Sequence, residues 1–433
     1  MRESYRVFST LQAAMLRSLD RALDYVGAFG RSLNAGDLIA SAQKRTGLDD
    51  FGQWNFREPL EVLLHAYENE SALTTFGRLA ARWDMSRMLT NLLRLRREEA
   101  EHPEILRESI TQPIFILGMP RSGTTFLHNL LILDPNLRIP LCWQTILPYP
   151  LSDDPDTPDR RERVVRRQLA GFLRLAPHLP ELHPLAANGA QECIEITGQV
   201  FQSMRYDTTH YVPSYEQWLD RAGHLEAYRF HRRFLQHLQH QDRPRRWVLK
   251  SPDHIFAFSA LEKVYPDARF IFVHREPLRV LASVAKLTEI LRWPFTRRVD
   301  RDQIGRQVMR RWRQGADALV AVSDRYRHSD RLLHLRHDDL IGDPIGTVKH
   351  IYRHFGMVLE EATARRFQQA IARRPNWGYG RNHYRLDEFG LEASEVKRAF
   401  EAYADYFGLA SEAVNEPPAR VRVGVVAPAP ELS

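Results

Sequence analysis

The sequence predicts an α/β fold, a mostly parallel sheet flanked by helices, with an added helical region at the N-terminus. Three observations predict it. Short apolar runs recur at Ile114–Leu117, Trp247–Leu249, Phe270–Val273 and Leu332–Leu335, as expected for buried parallel strands. Stretches of helical spacing separate these runs, and alternating strands and helices imply a parallel sheet. A glycine-bearing loop, Gly118–Thr125, follows the first run directly and leads into another helical stretch.

Residues 1–110 read as helices throughout. Phe8, Leu11, Met15, Leu19 and Leu23 recur at helical spacing. A second helix is predicted over Pro59–Asn69 and a third over Arg78–Arg97, with a break around Ser71, Leu73 and Gly77. This region carries no recognisable chemistry and reads as a cap on the main unit, residues 111–412. Residues 151–160 are a Pro/Asp loop, and 413–433 a loose tail rich in Pro, Val and Ala. The amphipathic N-terminal helices are candidates for peripheral membrane contact or for a homodimer interface.

Composition bounds the answer. The 433 residues, 43% hydrophobic, suffice for a sizeable core. The net charge of +7 suits an anionic small molecule, a nucleic acid or an anionic membrane. Acidic and basic residues alternate, and no nucleic-acid-binding signature occurs, so nucleic acid is not expected as a partner. Two cysteines, Cys142 and Cys193, form neither a CxxC pair nor a zinc spacing, which favours a reduced, cytoplasmic setting. The N-terminus does not read as a signal peptide, and no stretch approaches the ~18 apolar residues that span a bilayer.

The loop Gly118-Met-Pro-Arg-Ser-Gly-Thr-Thr125 carries the chemistry. Strand, glycine-bearing loop and helix together make a P-loop-type phosphate cradle. Glycines let the backbone curl so that N–H groups converge on one anion, and the helix N-terminus adds partial positive charge. The Gly-x4-Gly spacing is that of a Walker A loop, but Thr124 stands where the lysine belongs. Arg121 is the cation inside the loop. Triphosphate chemistry is therefore disfavoured, while binding of a 5′-phosphate is not.

On these residues the chain resembles the sulfotransferases that use 3′-phosphoadenosine 5′-phosphosulfate (PAPS), specifically the broad bacterial group related to the tyrosylprotein and carbohydrate enzymes. Their 5′-phosphosulfate loop matches Pro120–Thr125. Their second signature is an arginine at a strand end with a serine eight residues on, here Arg275 and Ser283. Pro277 suits a helical first turn, which sets Ser283 about two turns in, and a guanidinium fork fits a 3′-phosphate. Trp247-Val-Leu-Lys250-Ser-Pro252 is similar to a third segment, whose lysine stabilises the sulfuryl group and the leaving phosphate. Residues 46–110 and Asn382–Leu391 extend the resemblance to roughly residues 40–410.

The resemblance implies in-line, metal-independent sulfuryl transfer from PAPS, leaving 3′,5′-ADP, to a hydroxyl or amine of a small-molecule, lipid or glycan acceptor. It implies cofactor contacts from Arg121, Ser122, Gly123, Thr124, Thr125, Phe126, Arg275, Ser283 and Arg381, with His383, Tyr384 and Arg385 in reach, and catalysis by Lys250 and Arg121. No motif for a metal is evident.

Two departures stand out. Gln144 follows Trp143 where relatives often carry a glutamate, the base of the tyrosylprotein enzymes, and glutamine takes no proton. His337 stands where relatives often have tyrosine. The base is then sought in residues 181–195, where Glu192 is ranked ahead of His183. Each has an ordinary alternative, Glu192 as a helix N-terminal charge and His183 as a loop residue. His231, His237 and His240, and separately His334 and His337, read as solvated faces. Trp143, Tyr149, Phe201, Tyr206 and Tyr211 are candidates to line an acceptor pocket, with plain core as the alternative. A P-loop kinase or NTPase, and a non-catalytic nucleotide-binding protein, remain the competing functions.

Overall fold

Five parallel strands in the order β2-β3-β1-β4-β5 form the centre of the molecule. They are β1 (Ile114–Leu117), β2 (Leu137–Arg138), β3 (Arg246–Lys250), β4 (Arg269–His274) and β5 (Leu332–Arg336). The structure is a computed structural model that describes residues 33–152, 157–175, 186–373 and 384–409. All four strands expected from apolar runs are present. β2 was not foreseen, because two residues beside Arg246 and Trp247 leave no periodic signal.

The inner strands β1, β3 and β4 read as apolar runs because both faces of the sheet are covered there, whereas the edge strand β5 exposes His334 and Arg336. Phe115, Leu117, Leu249, Phe270 and Phe272 enter one core, and Ile114, Ile116, Val248, Ile271 and Val273 enter the other. The second core is closed by Leu127, Leu130 and Leu131 of the helix after the loop, Thr124–Leu131, and by Val348 and Ile351 of the helix Pro344–His354.

The first core continues into the N-terminal helices. Arg57–Asn69 and Thr75–Glu101 match the second and third predicted helices, the latter running longer at both ends. The helix Ala35–Thr46 falls in the region expected to be helical, although no separate helix was placed there, and the one expected over Phe8–Leu23 lies outside the described residues. Leu60, Leu63, Met88 and Leu92 share one cluster with Phe115 and Leu117. The break between the second and third helices is structured. Thr74 caps the third helix by accepting from the Gly77 N–H at 2.9 Å, and Leu73 bridges Thr296. A β-carbon on Gly77 would lie 2.2 Å from the Phe295 carbonyl, so the close approach needs glycine.

The helix Leu225–His240 corrects one expectation. His231 and His237 are fully buried rather than solvated. The His231 imidazole Nδ1 meets the Tyr265 hydroxyl at 2.7 Å. Burial opposes charge on His237, but Glu98 and Glu99 on either side outweigh it and raise its pKa. Alternation of Arg and Gln with these histidines had masked an inward face on which His231 Nδ1 and both His237 nitrogens meet partners distant in sequence, while His231 Nε2 is buried without one. Among the described residues no helix is long and apolar enough to cross a membrane.

Phe115 sits where the faces of these elements meet, with ring centroids 5.0 Å from His254 and 5.2 Å from Tyr265. Phe115→Ala should cost about 3–5 kcal/mol of unfolding free energy, whereas Trp83→Ala, at a side chain 57% exposed, should cost less than about 1 kcal/mol. Urea midpoints of the two variants check the contrast.

Candidate active site

Because β1 lies between β3 and β4 and all three run the same way, their C-terminal ends open on one edge. The loop leaving β1 therefore receives side chains from both neighbours. Lys250 ends β3 and Arg275 follows β4 directly. Ligands of open parallel sheets bind at such an edge.

The loop is tight. A β-carbon on Gly118 would sit 2.6 Å from the Val273 carbonyl and 2.7 Å from Ser122 Oγ. Gly123 has φ +96°, a left-handed conformation that favours glycine, and Arg121 adopts φ +68° despite its side chain. The helix Thr124–Leu131 starts at once, so its first-turn N–H groups face the loop without intrahelical acceptors. The Phe126 side chain is buried in the second core, leaving its backbone as the part that faces the loop. Ser122 Oγ is buried and has no hydrogen-bond partner.

On the β4 side, Arg121 Nε donates to Ser283 Oγ at 3.1 Å. An Arg275 terminal nitrogen donates to the Arg121 carbonyl, and Arg275 Nε is buried without a partner. Burial depresses the Arg275 pKa, and Arg121 and Arg279 depress it further. Cations gathered this closely favour an anion between them. Ser283 reaches the site because Glu276 caps its helix, Pro277–Arg292, by accepting from the Leu278 and Arg279 N–H groups. Tyr403, near the end of the described chain, braces this strand end. Its hydroxyl meets His274 Nδ1 at 3.0 Å and the Arg275 backbone.

On the β3 side, Lys250 Nζ donates to Thr125 Oγ1 at 3.0 Å and to Glu192 Oε1. Lys250 is 3% exposed, so its ammonium is held by these oxygens rather than by water. Glu192 is brought there by the backbone, since the Cys193 N–H donates to the Lys250 carbonyl at 2.9 Å. Loop, strand lysine and carboxylate thus form one chain of contacts.

His183 and Arg381 lie outside the described residues. Gln144 is turned inward: its Oε1 accepts from the Leu141 N–H at 3.0 Å, capping the short helix Cys142–Ile146. Phe201 and Tyr206 are plain core, the latter donating to the Gly198 carbonyl at 2.7 Å. Trp143 stacks with Arg161, the guanidinium 4.7 Å from the ring centroid. The His334 and His337 pair is divided. His334 Nδ1 meets His274 Nε2 at 2.9 Å, while His337 lies against Gly123, 3.2 Å from where a β-carbon would stand. Burial, then Arg275, keeps the His337 pKa low. Both cysteines are free and buried, and burial pushes the Cys142 thiol up to about 12. Sequence reasoning missed Asp253 and Tyr403, whose roles depend on partners far away in the chain.

The sequence model described as the sulfotransferase family matches residues 113–361. A crystal structure of sulfotransferase STF1 from Mycobacterium tuberculosis superposes with a TM-score of 0.76 at 33% identity, covering 86% of this chain and 99% of that one. That of sulfotransferase STF9 from Mycobacterium avium gives 0.79 at 29% identity, covering 87% and 97%. The omega-hydroxy-beta-dihydromenaquinone-9 sulfotransferase Stf3 of Mycobacterium bovis is 28% identical over 290 residues, 63% of this chain and 70% of its own.

Asp253 fixes the segment beside Glu192. Its Oδ2 accepts from Ser203 Oγ at 3.2 Å and from the Met204 N–H at 3.0 Å. Burial raises its pKa from 3.8 to about 7, against the pull of the Met204 N–H. A carboxyl whose folded pKa is raised contributes stability that is full below the unfolded value and is lost as pH rises through the folded one. Relative to Asp253→Asn, the native chain should therefore lose ground as pH rises from about 4 toward 7, at up to ~1.4 kcal/mol per pH unit. Urea midpoints at several pH values test this, and a pH-independent difference would contradict it.

Proposed function

This chain belongs to the sulfotransferase family, and on that premise we propose that its donor is PAPS and its acceptor a hydroxyl or amine of a small molecule, lipid or glycan. One observation carries the reading. The buried ammonium of Lys250 joins Thr125 of the phosphate loop to the carboxylate of Glu192. That arrangement sets a cation, an anion cradle and a proton acceptor around one point. The residues also fit the donor. Gly118 and Gly123 let the loop curl tightly against Val273 and His337, while Ser122 Oγ and Arg275 Nε are buried polar atoms without partners.

The donor supplies an activated sulfuryl group and a bisphosphate leaving group; this chain supplies position and charge. Loop N–H groups, with Ser122, Thr124 and Thr125, hold the 5′ side. Arg121, Arg275 and Ser283 hold the 3′-phosphate. Lys250, between them and Glu192, stabilises charge as it moves from sulfur to the departing phosphate oxygen. Once its ammonium turns to that oxygen, Glu192 is released from the ion pair. Its carboxylate then takes the proton of the attacking acceptor. Such a base is worth about 10²–10⁴-fold. The lipid reading of the acceptor draws on the name of the Stf3 relative, which acts on a hydroxylated menaquinone.

Labelled PAPS incubated with the protein and a cell extract should yield a labelled product. Absence of product together with absence of 3′,5′-ADP binding would overturn the reading. Glu192→Gln should lower kcat by about 10²–10⁴-fold with 3′,5′-ADP affinity nearly unchanged, whereas Lys250→Ala should impair both. Arg275→Ala should weaken 3′,5′-ADP by roughly 10–100-fold, from the loss of charge-assisted hydrogen bonds, and 5′-AMP far less. Equal losses for both nucleotides, measured by calorimetry, would remove Arg275 from the 3′-phosphate.

A further inference from the structure

A second cluster of chemistry-bearing side chains lies away from the phosphate loop, at the seam between the N-terminal helices and the helix Leu225–His240. His102 caps the helix Thr75–Glu101, Glu104 belongs to the 3₁₀ turn Pro103–Arg107 that follows, and His240 ends Leu225–His240. Glu104 Oε1 stands 3.2 Å from His102 Nδ1 and 3.7 Å from His240 Nε2. One ligand atom from each residue falls within 4.8 Å of the other two. In a tetrahedral zinc site, with bonds of about 2.0–2.1 Å, neighbouring ligand atoms are roughly 3.3 Å apart. The spacing here needs only side-chain adjustment to reach that figure.

We infer that His102, Glu104 and His240 bind a divalent transition-metal ion of the zinc class. Two imidazoles and a carboxylate suit zinc and its neighbours in the transition series, whereas calcium and magnesium prefer all-oxygen sets. Water completes the coordination, and the side chains of His102 and Glu104, 56% and 50% exposed, leave an entry path. The surroundings are built as an outer shell would be. The other nitrogen of His240, Nδ1, faces Glu108 Oε1 at 3.7 Å, so a small shift of the ring would give it the carboxylate partner that orients ligating imidazoles. Glu108 is itself fixed, since Gln239 Nε2 donates to its Oε2 at 2.8 Å and Gln236 Nε2 to its carbonyl at 2.8 Å. His102 is held by its own N–H, which donates to the Glu98 carbonyl at 2.7 Å.

His240 had looked like part of a solvated row, because the partners that complete the site, His102 and Glu104, come from a segment more than a hundred positions earlier in the chain. The bound ion ties the end of Thr75–Glu101 to the end of Leu225–His240. Those helices already meet through Arg233 and Glu99 at 3.1 Å. The site is therefore a structural clamp, remote from Lys250 and Arg275 in the fold.

The untagged full chain, stripped with chelator, should bind a single equivalent of Zn²⁺ by calorimetry. Co²⁺ in its place should give visible absorption bands typical of a four-coordinate site. Zn²⁺ should raise the melting temperature of the native chain and leave that of His240→Ala unchanged. His240→Ala and His102→Ala should each weaken Zn²⁺ by more than tenfold, and Glu108→Gln by about tenfold. Binding of 3′,5′-ADP by the variants serves as the check that they are folded. Absence of saturable Zn²⁺ binding to the native chain, or equal binding by both histidine variants, would overturn the inference.

Discussion

β1 has a parallel neighbour on each side, and the rest of the site depends on that constraint. A loop leaving the edge of a sheet could draw a side chain from one flank only. Here the loop from Gly118 to Thr125 takes Lys250 from β3 and Arg121's partner Ser283, with Arg275, from beyond β4. Register is as important as order. Ile116 pairs with Lys250, and Val248, two residues before it, shares the core that the loop helix covers. A slip of one residue would turn Lys250 to the opposite face, away from Thr125. The apolar strand residues that fix this register are thus part of the site's geometry, although their own side chains point into the two cores.

The two flanks manage charge differently. On the β3 side the buried ammonium already has a carboxylate partner, so the pair is internally neutral before any substrate arrives. On the β4 side Arg275 stands among other guanidiniums with its Nε orphaned, and burial first, then Arg121 and Arg279, lower its pKa against the pull of Asp338 and Glu276. On the proposed reading, a bisphosphate donor would be drawn to the second flank and would compete with Glu192 for the ammonium of the first. Breaking a buried ion pair without replacing the lost partner costs about 3–5 kcal/mol, and a phosphate oxygen is a replacement of the same sign.

Much of this was legible in the chain. Four of five strands were announced by apolar runs, and the loop by its glycines. Lys250, Arg275 and Ser283 were singled out by the resemblance to the sulfotransferases, which apolar runs and helical spacing alone would not have given. What was hidden shares one physical cause. Asp253, Tyr403 and the buried histidines gain their roles from hydrogen bonds to residues dozens or hundreds of positions away. Local pattern carries no trace of such partners. His231 and His237 were read as solvated because their neighbours are Arg and Gln, yet both lie inside, where Tyr265 meets His231 Nδ1 and Glu98 and Glu99 flank His237. Gln144 was noted as a missing base, and the backbone of Leu141 now accounts for its amide.

The core that runs from Leu60 and Met88 to Phe115 and Leu117 has a consequence for how this architecture can be inherited. One apolar interior serves both the N-terminal helices and the face of the sheet opposite the helix that follows the phosphate loop. Neither half has a surface of its own on that side. Recombination between homologous genes near residue 110 would join helices and strands whose side chains had never been fitted to each other. Such hybrids would carry mismatched volumes at the place where the strand register is set. The helical region must therefore change in step with the sheet, and descendants of this chain are expected to vary it by gradual substitution instead of wholesale exchange.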